Sequence, residues 1–253
     1  MGSAVAFCPR TPPRAARCAA ADEVAELAAT LNAMLASLER AREAERRFVG
    51  DASHELRTPL TALRGNISYL ARHGPDEAVL GDLERDAARL SELLDDLLAL
   101  AREDAATPAR GEPVDLAAVA AEAAGADSRA KVEADGPVLV LGERHALERA
   151  AGNLVRNARR HGPDGGTITV TARREGDRAL LIVADEGPGL APDDAERAFE
   201  RFWRGPSARG DGSGLGLAIV RSITERHGGR VHVDGARFTI DLPASQETVK
   251  DRA

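Results

Sequence analysis

From Asp22 onward, apolar residues recur at helical spacing, with Leu27, Leu31, Met34, Leu35 and Leu38 on one face. A charged stretch, Glu39 to Arg47, leads without a breaker into a second stripe of Val49, Leu56, Leu60, Leu63, Ile67 and Leu70 at coiled-coil spacing. His73-Gly74-Pro75-Asp76 ends this long helix, because glycine stops helices and proline restarts them. A second helix carries Leu83, Ala87, Leu90, Leu94, Leu97 and Ala101 on its own heptad stripe. Two long helices joined by a short turn form an antiparallel hairpin. One hairpin cannot bury both stripes, so the pattern predicts a homodimer whose two hairpins close a four-helix bundle.

Beyond a linker by composition, residues 106–113, the period changes to mixed helix and strand. Val138–Leu141 reads as a short strand and Glu143–Arg160 as a helix. Thr167–Thr171 and Ala179–Val183 read as strands around a turn at Glu175-Gly176-Asp177, and Leu215–His227 is again helical. Val231–Val233 and Phe238–Ile240 make a closing hairpin through Asp234-Gly235. Strands joined by tight turns, with helices on one face, indicate an α+β sandwich. The expected organisation is therefore multidomain: an irregular stretch over 1–21, a helix over 22–46, the hairpin over 47–105, the linker, a sandwich over 114–243 and a tail over 244–253.

Composition narrows the function classes. A net charge of -7 and 3% aromatic residues argue against a nucleic-acid binder, which needs basic patches and stacking platforms. Cys8 and Cys18 are the only cysteines and form no Cys-x-x-Cys pair, which removes a structural zinc site and a disulfide framework. No apolar run approaches the length of a bilayer-spanning helix, and the first 20 or so residues lack the apolar core of a secretion signal.

Chemistry concentrates in four short segments. In Ser53-His54-Glu55-Leu56-Arg57-Thr58-Pro59, His54 and Thr58 lie off the apolar stripe and share an exposed face, and Pro59 removes an amide donor beside them. An exposed imidazole next to a carboxylate reads as a nucleophile, although a lone surface histidine is more often only solvated. Asn153 and Asn157 share a helix face, and their amide oxygens suit Mg²⁺ or, alternatively, cap neighbouring loops. Asp185-Glu186-Gly187-Pro188-Gly189 puts a carboxylate at a strand end, able to accept from an adenine amino group, or forms an ordinary turn. Gly212-Ser213-Gly214-Leu215-Gly216-Leu217 opens a helix and offers an anion site. Pro206–Asp211, polar and glycine-containing, reads as a lid resting on Phe199, Phe202 and Trp203.

Taken in order, these segments resemble the bacterial sensor histidine kinases of two-component systems, of the HisKA type. Ser53–Pro59 is similar to the histidine box, Asn153–His161 to the asparagine box, Asp185–Gly189 and Gly212–Leu217 to the two glycine boxes, and Phe199–Arg204 to the phenylalanine box. Asp22–Leu35 resembles the second helix of a HAMP signal-relay module. The resemblance implies a dimerisation and phosphotransfer hairpin followed by an ATPase domain of the Bergerat (GHKL) fold. It implies ATP and Mg²⁺ as cofactors, the metal held by Asn157 with support from Asn153. Asp185 would read adenine, Gly187 and Gly189 would let the loop approach it, and Gly212, Gly214, Leu215 and Gly216 would face the phosphates. Arg160, His161 and Arg204 become candidates for phosphate or ribose contacts. His54 would accept the γ-phosphoryl group, Glu55 would orient it or act as general base, and Thr58 would serve a phosphatase reaction. The implied partners are a second copy and a response-regulator receiver domain, and the implied setting is the cytoplasmic portion of a membrane protein. The final hairpin is shorter than the family commonly shows, which is expected to matter only for local stability. Intact His54, Glu55, Asn157 and both glycine boxes speak against a nucleotide-binding scaffold without kinase activity, and a gyrase-like ATPase without phosphotransfer would leave the histidine hairpin without a purpose.

Overall fold

The computed structural model describes residues 14–105, 111–125, 128–205 and 212–245, and the chain divides into two units, residues 1–51 and 52–253. The proposed lid, Pro206–Asp211, lies outside the described residues. Helix α1 runs Arg14–His73, so it starts within the stretch expected to be irregular. The proline- and arginine-spotted composition concealed that start.

In the first unit Leu31, Met34, Leu35, Leu38 and Val49 are all exposed. In the second, Leu60 and Ile67 of the α1 stripe are also at least half exposed, at 50% and 57%, whereas Ala52 and Pro59 are buried. Gly74 donates its amide to the Leu70 carbonyl at 2.9 Å, closing α1. Asp76 then accepts from the amides of Ala78 (3.0 Å) and Val79 (3.3 Å) and caps the start of α2, Glu77–Ala105.

Helix α2 differs from the expectation in which face it buries. Leu93, Asp96, Ala99 and Leu100 are its buried residues, while Leu94, on the heptad stripe, is half exposed. The physical reason is that α2 has two apolar faces. The heptad face stays open in a single chain, and the other packs on the domain that follows, through its helix α6 (Gly216–Arg226).

That domain begins with β1 (Glu112–Asp115), which pairs antiparallel with β3 (Leu139–Gly142). Part of the stretch read as linker is therefore strand. Pro113 fits there because β1 lies in a two-stranded sheet, where a missing amide donor is tolerated. Asp115 caps α3 (Leu116–Ala124) and also accepts from Val138, joining the helix to β3. A five-stranded sheet has the order β2-β4-β5-β7-β6, built from Ala130–Ala134, Ile168–Glu175, Arg178–Ala184, Arg237–Pro243 and Arg230–Asp234. All its pairings are antiparallel except β2 with β4. Period-two burial of Ile168, Val170 and Ala172, and of Phe238, Ile240 and Leu242, gives the sheet one apolar face. Rows such as Val170–Val183–Phe238–Val233 run across it. Helices α3, α4 (Arg144–His161) and α6 (Gly216–Arg226) cover that face, with α5 (Pro192–Ala195) and a 3-10 turn (Arg197–Phe199) between β5 and α6. The result is an α+β sandwich.

Candidate nucleotide site and phospho-acceptor histidine

The amphipathic pattern of α4 buries Leu147, Leu154, Val155 and Ala158 and places Asn153 and Asn157 by α6 and the ends of β5 and β7. A cavity of about 700 Å³ opens there. Of the residues singled out from sequence, Asn153, Asn157, Arg160, His161, Asp185, Gly189, Arg204, Gly212, Gly214 and Gly216 line it together. Gly187 and Leu215 do not.

Leu215 is fully buried. It is an anchor at the start of α6, and no side chain caps that helix. Ser213 Oγ accepts from the Leu215 amide at 3.2 Å, and the amides that open α6 beyond it have no side-chain acceptor, as an anion site at a helix N-terminus requires. Gly187 lies beneath the wall for a steric reason. A Cβ there would sit 2.6 Å from Asp185 Oδ1 and 2.7 Å from the His161 carbonyl. The close approach lets the Gly187 amide donate to Asp185 Oδ1 at 2.7 Å. Gly189 has φ +68°, and a Cβ there would overlap the backbone of Gly235 and Ala236.

The loop that follows β5 is held by the turn between β6 and β7. Asp185 donates its amide to the Ala236 carbonyl at 3.2 Å, and Leu190 donates to Gly235 at 2.9 Å. Ala236 and Phe238 line the cavity as well. The short final hairpin thus positions the Asp185 loop, a role beyond the local stability expected of it.

Burial pushes the Asp185 carboxyl up, against the Gly187 amide and nearby His161, which pull it down. Burial also pushes His161 down, helped by Arg160. A carboxylate held by one backbone amide at a half-buried strand end keeps acceptor capacity for a ligand.

The two asparagines separate in role. Asn153 is buried; its Nδ2 donates to the Gly216 carbonyl at 3.1 Å, and its Oδ1 accepts from the Arg156 guanidinium. The nitrogen end of that amide ties α4 to α6 and the oxygen end is engaged by Arg156 of the same helix, so the oxygen faces a cation rather than a vacant ligand position. Asn157 is half-buried on the cavity wall, and its side chain makes no hydrogen bond within the described residues. Its neutral oxygen fits Mg²⁺ when phosphate supplies the other ligands. No group of three or more His, Cys, Asp or Glu residues gathers among the described residues. A metal at this wall would therefore depend on the nucleotide.

Phe199 is buried, Trp203 lines the cavity, and Phe202 donates its amide to the Gly214 carbonyl at 2.9 Å. Sequence reasoning missed several further wall residues, among them Glu92 and Asp96 from α2, Arg156 from α4 and Ser213 from the glycine turn. Ser213 Oγ donates to Asp96 Oδ2 at 2.9 Å, and burial pushes the Asp96 carboxyl up despite that bond. One signal was available: Asp95-Asp96 interrupts the apolar run Leu93–Leu98, where charge is costly without a partner.

On α1, His54 and Thr58 are exposed and Glu55 is half-buried. The Thr58 hydroxyl donates to the His54 carbonyl at 3.4 Å, so the two share one turn.

An ATPase-type sandwich joined to a helix that exposes a histidine defines a phosphotransfer protein, and comparison with known proteins agrees. Residues 142–246 match the histidine kinase-, DNA gyrase B- and HSP90-like ATPase family, and residues 44–106 match the His Kinase A (phospho-acceptor) domain. The chain is 39% identical over 230 residues to the signal transduction histidine-protein kinase/phosphatase MprB of Mycobacterium ulcerans, covering 84% of this chain and 45% of the relative. It is 40% identical over 232 residues to MprB of Mycolicibacterium smegmatis, covering 84% and 46%. Among solved structures, the Acinetobacter baumannii histidine kinase AdeS is similar with a TM-score of 0.62 and 27% identity, over 76% of this chain and 98% of that one. Full-length ShkA in complex with AMPPNP is similar with a TM-score of 0.57 and 28% identity, over 78% of this chain and 45% of that one. The chain belongs to the sensor histidine kinases of two-component systems. It spans about half the length of the curated relatives it matches. No helix among the described residues is long and apolar enough to cross a membrane.

Proposed function

We propose that this chain is the kinase portion of a two-component sensor, which uses ATP to phosphorylate His54 and passes the phosphoryl group to an aspartate of a response-regulator receiver domain. The observation that carries the reading is the pairing of an exposed histidine on α1 with one cavity lined by Asn157, Asp185 and the glycine turn. The ATP analogue in the ShkA complex lends support, as does the kinase/phosphatase name of the MprB relatives.

In this reading Asp185 accepts from the adenine amino group, Gly189 keeps the loop close to the ring, and Gly212, Gly214 and Gly216 give the phosphates backbone amides. Arg160, His161 and Arg204 stand on the same wall for ribose or phosphate. Mg²⁺, held by Asn157 and phosphate oxygens, supplies charge neutralisation. Neutral His54 attacks the γ-phosphorus in line; a P–N bond forms, the bond to the β,γ-bridging oxygen breaks, and ADP leaves. Glu55 orients the ring by accepting from its other nitrogen, whose acidity rises as the bond forms. Most of the acceleration comes from positioning and charge stabilisation. The Thr58 hydroxyl, bonded only to a carbonyl of its own helix, swings to orient water when the reaction runs as receiver dephosphorylation.

The open stripe of α1 and the exposed heptad face of α2 support a homodimer closed as a four-helix bundle. Residues 22–46 act as a relay helix from a membrane-anchored sensor, with the kinase on the cytoplasmic side.

Incubation with γ-labelled ATP and Mg²⁺ tests the proposal. Wild type acquires acid-labile, base-stable phosphate, and His54→Ala acquires none while still binding ATP. Acid-labile, base-stable label persisting on His54→Ala would overturn the assignment.

A further inference from the structure

Arg156 stands on the cavity wall with its guanidinium already engaged by neighbouring side chains. Its Nε lies 3.3 Å from Glu92 Oε1, its Nη2 lies 4.0 Å from Asp96 Oδ1, and the same Nη2 donates to Asn153 Oδ1. Asn153 reaches the first residue of α6 through its bond to the Gly216 carbonyl, and Asp96 holds Ser213 of the glycine turn. The guanidinium is thus one side chain away from the turn that would carry phosphate. Both carboxylates, by contrast, put negative charge on the wall a triphosphate must approach.

We propose that Arg156 is a phosphate-binding residue for the nucleotide, and that Glu92 and Asp96 of α2 compete with the nucleotide for it. This rests on the nucleotide reading of the cavity. The Arg156 and Glu92 side chains are 47% and 43% exposed, so the pair is weak, salt-screened and free to exchange partners. A triphosphate offers the planar fork of arginine two oxygens of one phosphate group as a bidentate partner, with more charge than one carboxylate. Arg156 therefore moves to the phosphate when nucleotide enters, and α2 loses one of its ties to α4. The Ser213–Asp96 bond is a second tie at the same place.

Calorimetric titration of the whole chain with ATP, ADP and adenosine tests this, on wild type, Arg156→Gln, Arg156→Lys, Glu92→Gln and the double variant Glu92→Gln/Arg156→Gln. Arg156→Gln is expected to weaken ATP roughly tenfold and leave adenosine unchanged, as loss of one charge-assisted contact implies. Arg156→Lys keeps part of the affinity. Glu92→Gln tightens ATP a few-fold, and only while Arg156 is present. ATP affinity unaltered in Arg156→Gln overturns the inference, as does an equal loss for ATP and adenosine. Tightening by Glu92→Gln in the Arg156→Gln background overturns the competition, because it would reflect general repulsion. Absence of ATP binding by wild type defeats the nucleotide reading itself and this inference with it.

Discussion

His227 offers the sharpest test of how the ATPase-like domain is held together. The ring is 8% exposed at the end of α6. Its Nε2 accepts from the Glu143 amide at 3.0 Å, and Nδ1 is 2.7 Å from the Ile223 carbonyl, so the ring is neutral with its proton on Nδ1. The same edge packs on Gly142, where a Cβ would come within 2.6 Å of Cδ2. His227→Leu keeps most of the volume and removes both polar atoms. The Ile223 carbonyl still accepts from the His227 backbone amide at 3.2 Å, so the substitution orphans one group, the Glu143 amide. An unsatisfied donor costs about 1–3 kcal/mol when fully buried, so about 2 kcal/mol is the upper expectation for this part-buried amide. At about 2–4 °C per kcal/mol for a chain of this size, a 2 kcal/mol loss lowers the melting temperature by about 4–8 °C. His227→Gln, whose side-chain oxygen can accept from Glu143, recovers part of it. Acid adds a second readout. Burial, and secondarily Arg226, push His227 down against the pull of Ile223, Glu143 and Glu103. As pH falls, the unfolded chain takes up its proton first, near the ordinary value of about 6.5. The contribution of the neutral ring is whole above that value and is lost as pH drops through the lower folded value. The stability difference between wild type and His227→Leu, measured by urea unfolding at pH 8 and pH 5, should therefore shrink in acid. Asp96, Asp185 and His161 occur in both proteins and cancel. A leucine variant as stable as wild type at pH 8, or a difference independent of pH, would refute the reasoning.

Two further predictions concern packing and charge. Gly189→Ala combines left-handed strain of about 1–2 kcal/mol with overlap against the backbone of Gly235 and Ala236, whereas Gly235→Ala, at φ +58° with nothing within 4 Å, carries the strain alone. Gly189→Ala should thus be the less stable in urea and should weaken ATP binding; equal stabilities would refute the overlap. Arg226, 7% exposed, pairs with Glu103 (12% exposed) at 2.6 Å and with Glu143 (53% exposed) at 2.6 Å. Arg226→Met should cost about 3 kcal/mol by stranding Glu103, and a double-mutant cycle should show coupling to Glu103 well above the coupling of under about 1 kcal/mol expected for Glu143. Equal couplings would show that burial does not govern this pair.

What could be read from the chain, and what could not, divides on physical lines. Helix α4, the strands β4, β5 and β7 and the glycine turn carry strong periods or compact signals, and they were legible. Strand β2 was not, because Ala130-Lys131-Val132-Glu133-Ala134 is mostly exposed at a sheet edge and owes its strand to parallel pairing with Ile168–Ala172. Helix α3 hid in an alanine-rich run, where propensity without amphipathic contrast gives no boundary. The cavity wall was legible wherever a motif supplied it, as with Asn157 and Asp185. Asp96 and Arg156 escaped because their meaning is a tertiary one: the first looks like a break in a heptad and the second like a solvated arginine. Asn153 shows the opposite error, since an amide suited to a metal is spent on Gly216 and Arg156.

The turn between β6 and β7 has a consequence for engineering. Hairpin turns on protein surfaces ordinarily accept inserted residues, which makes them favoured places for tags, fluorophores or new chain ends. Here the carbonyls of Gly235 and Ala236 each hold an amide of the Asp185–Leu190 loop, and the backbone fits against Gly189 without room for a methyl group. A probe spliced in at this turn would report on its own disturbance of the cavity. The turn between β4 and β5, where Gly176 faces open space, is the place to label.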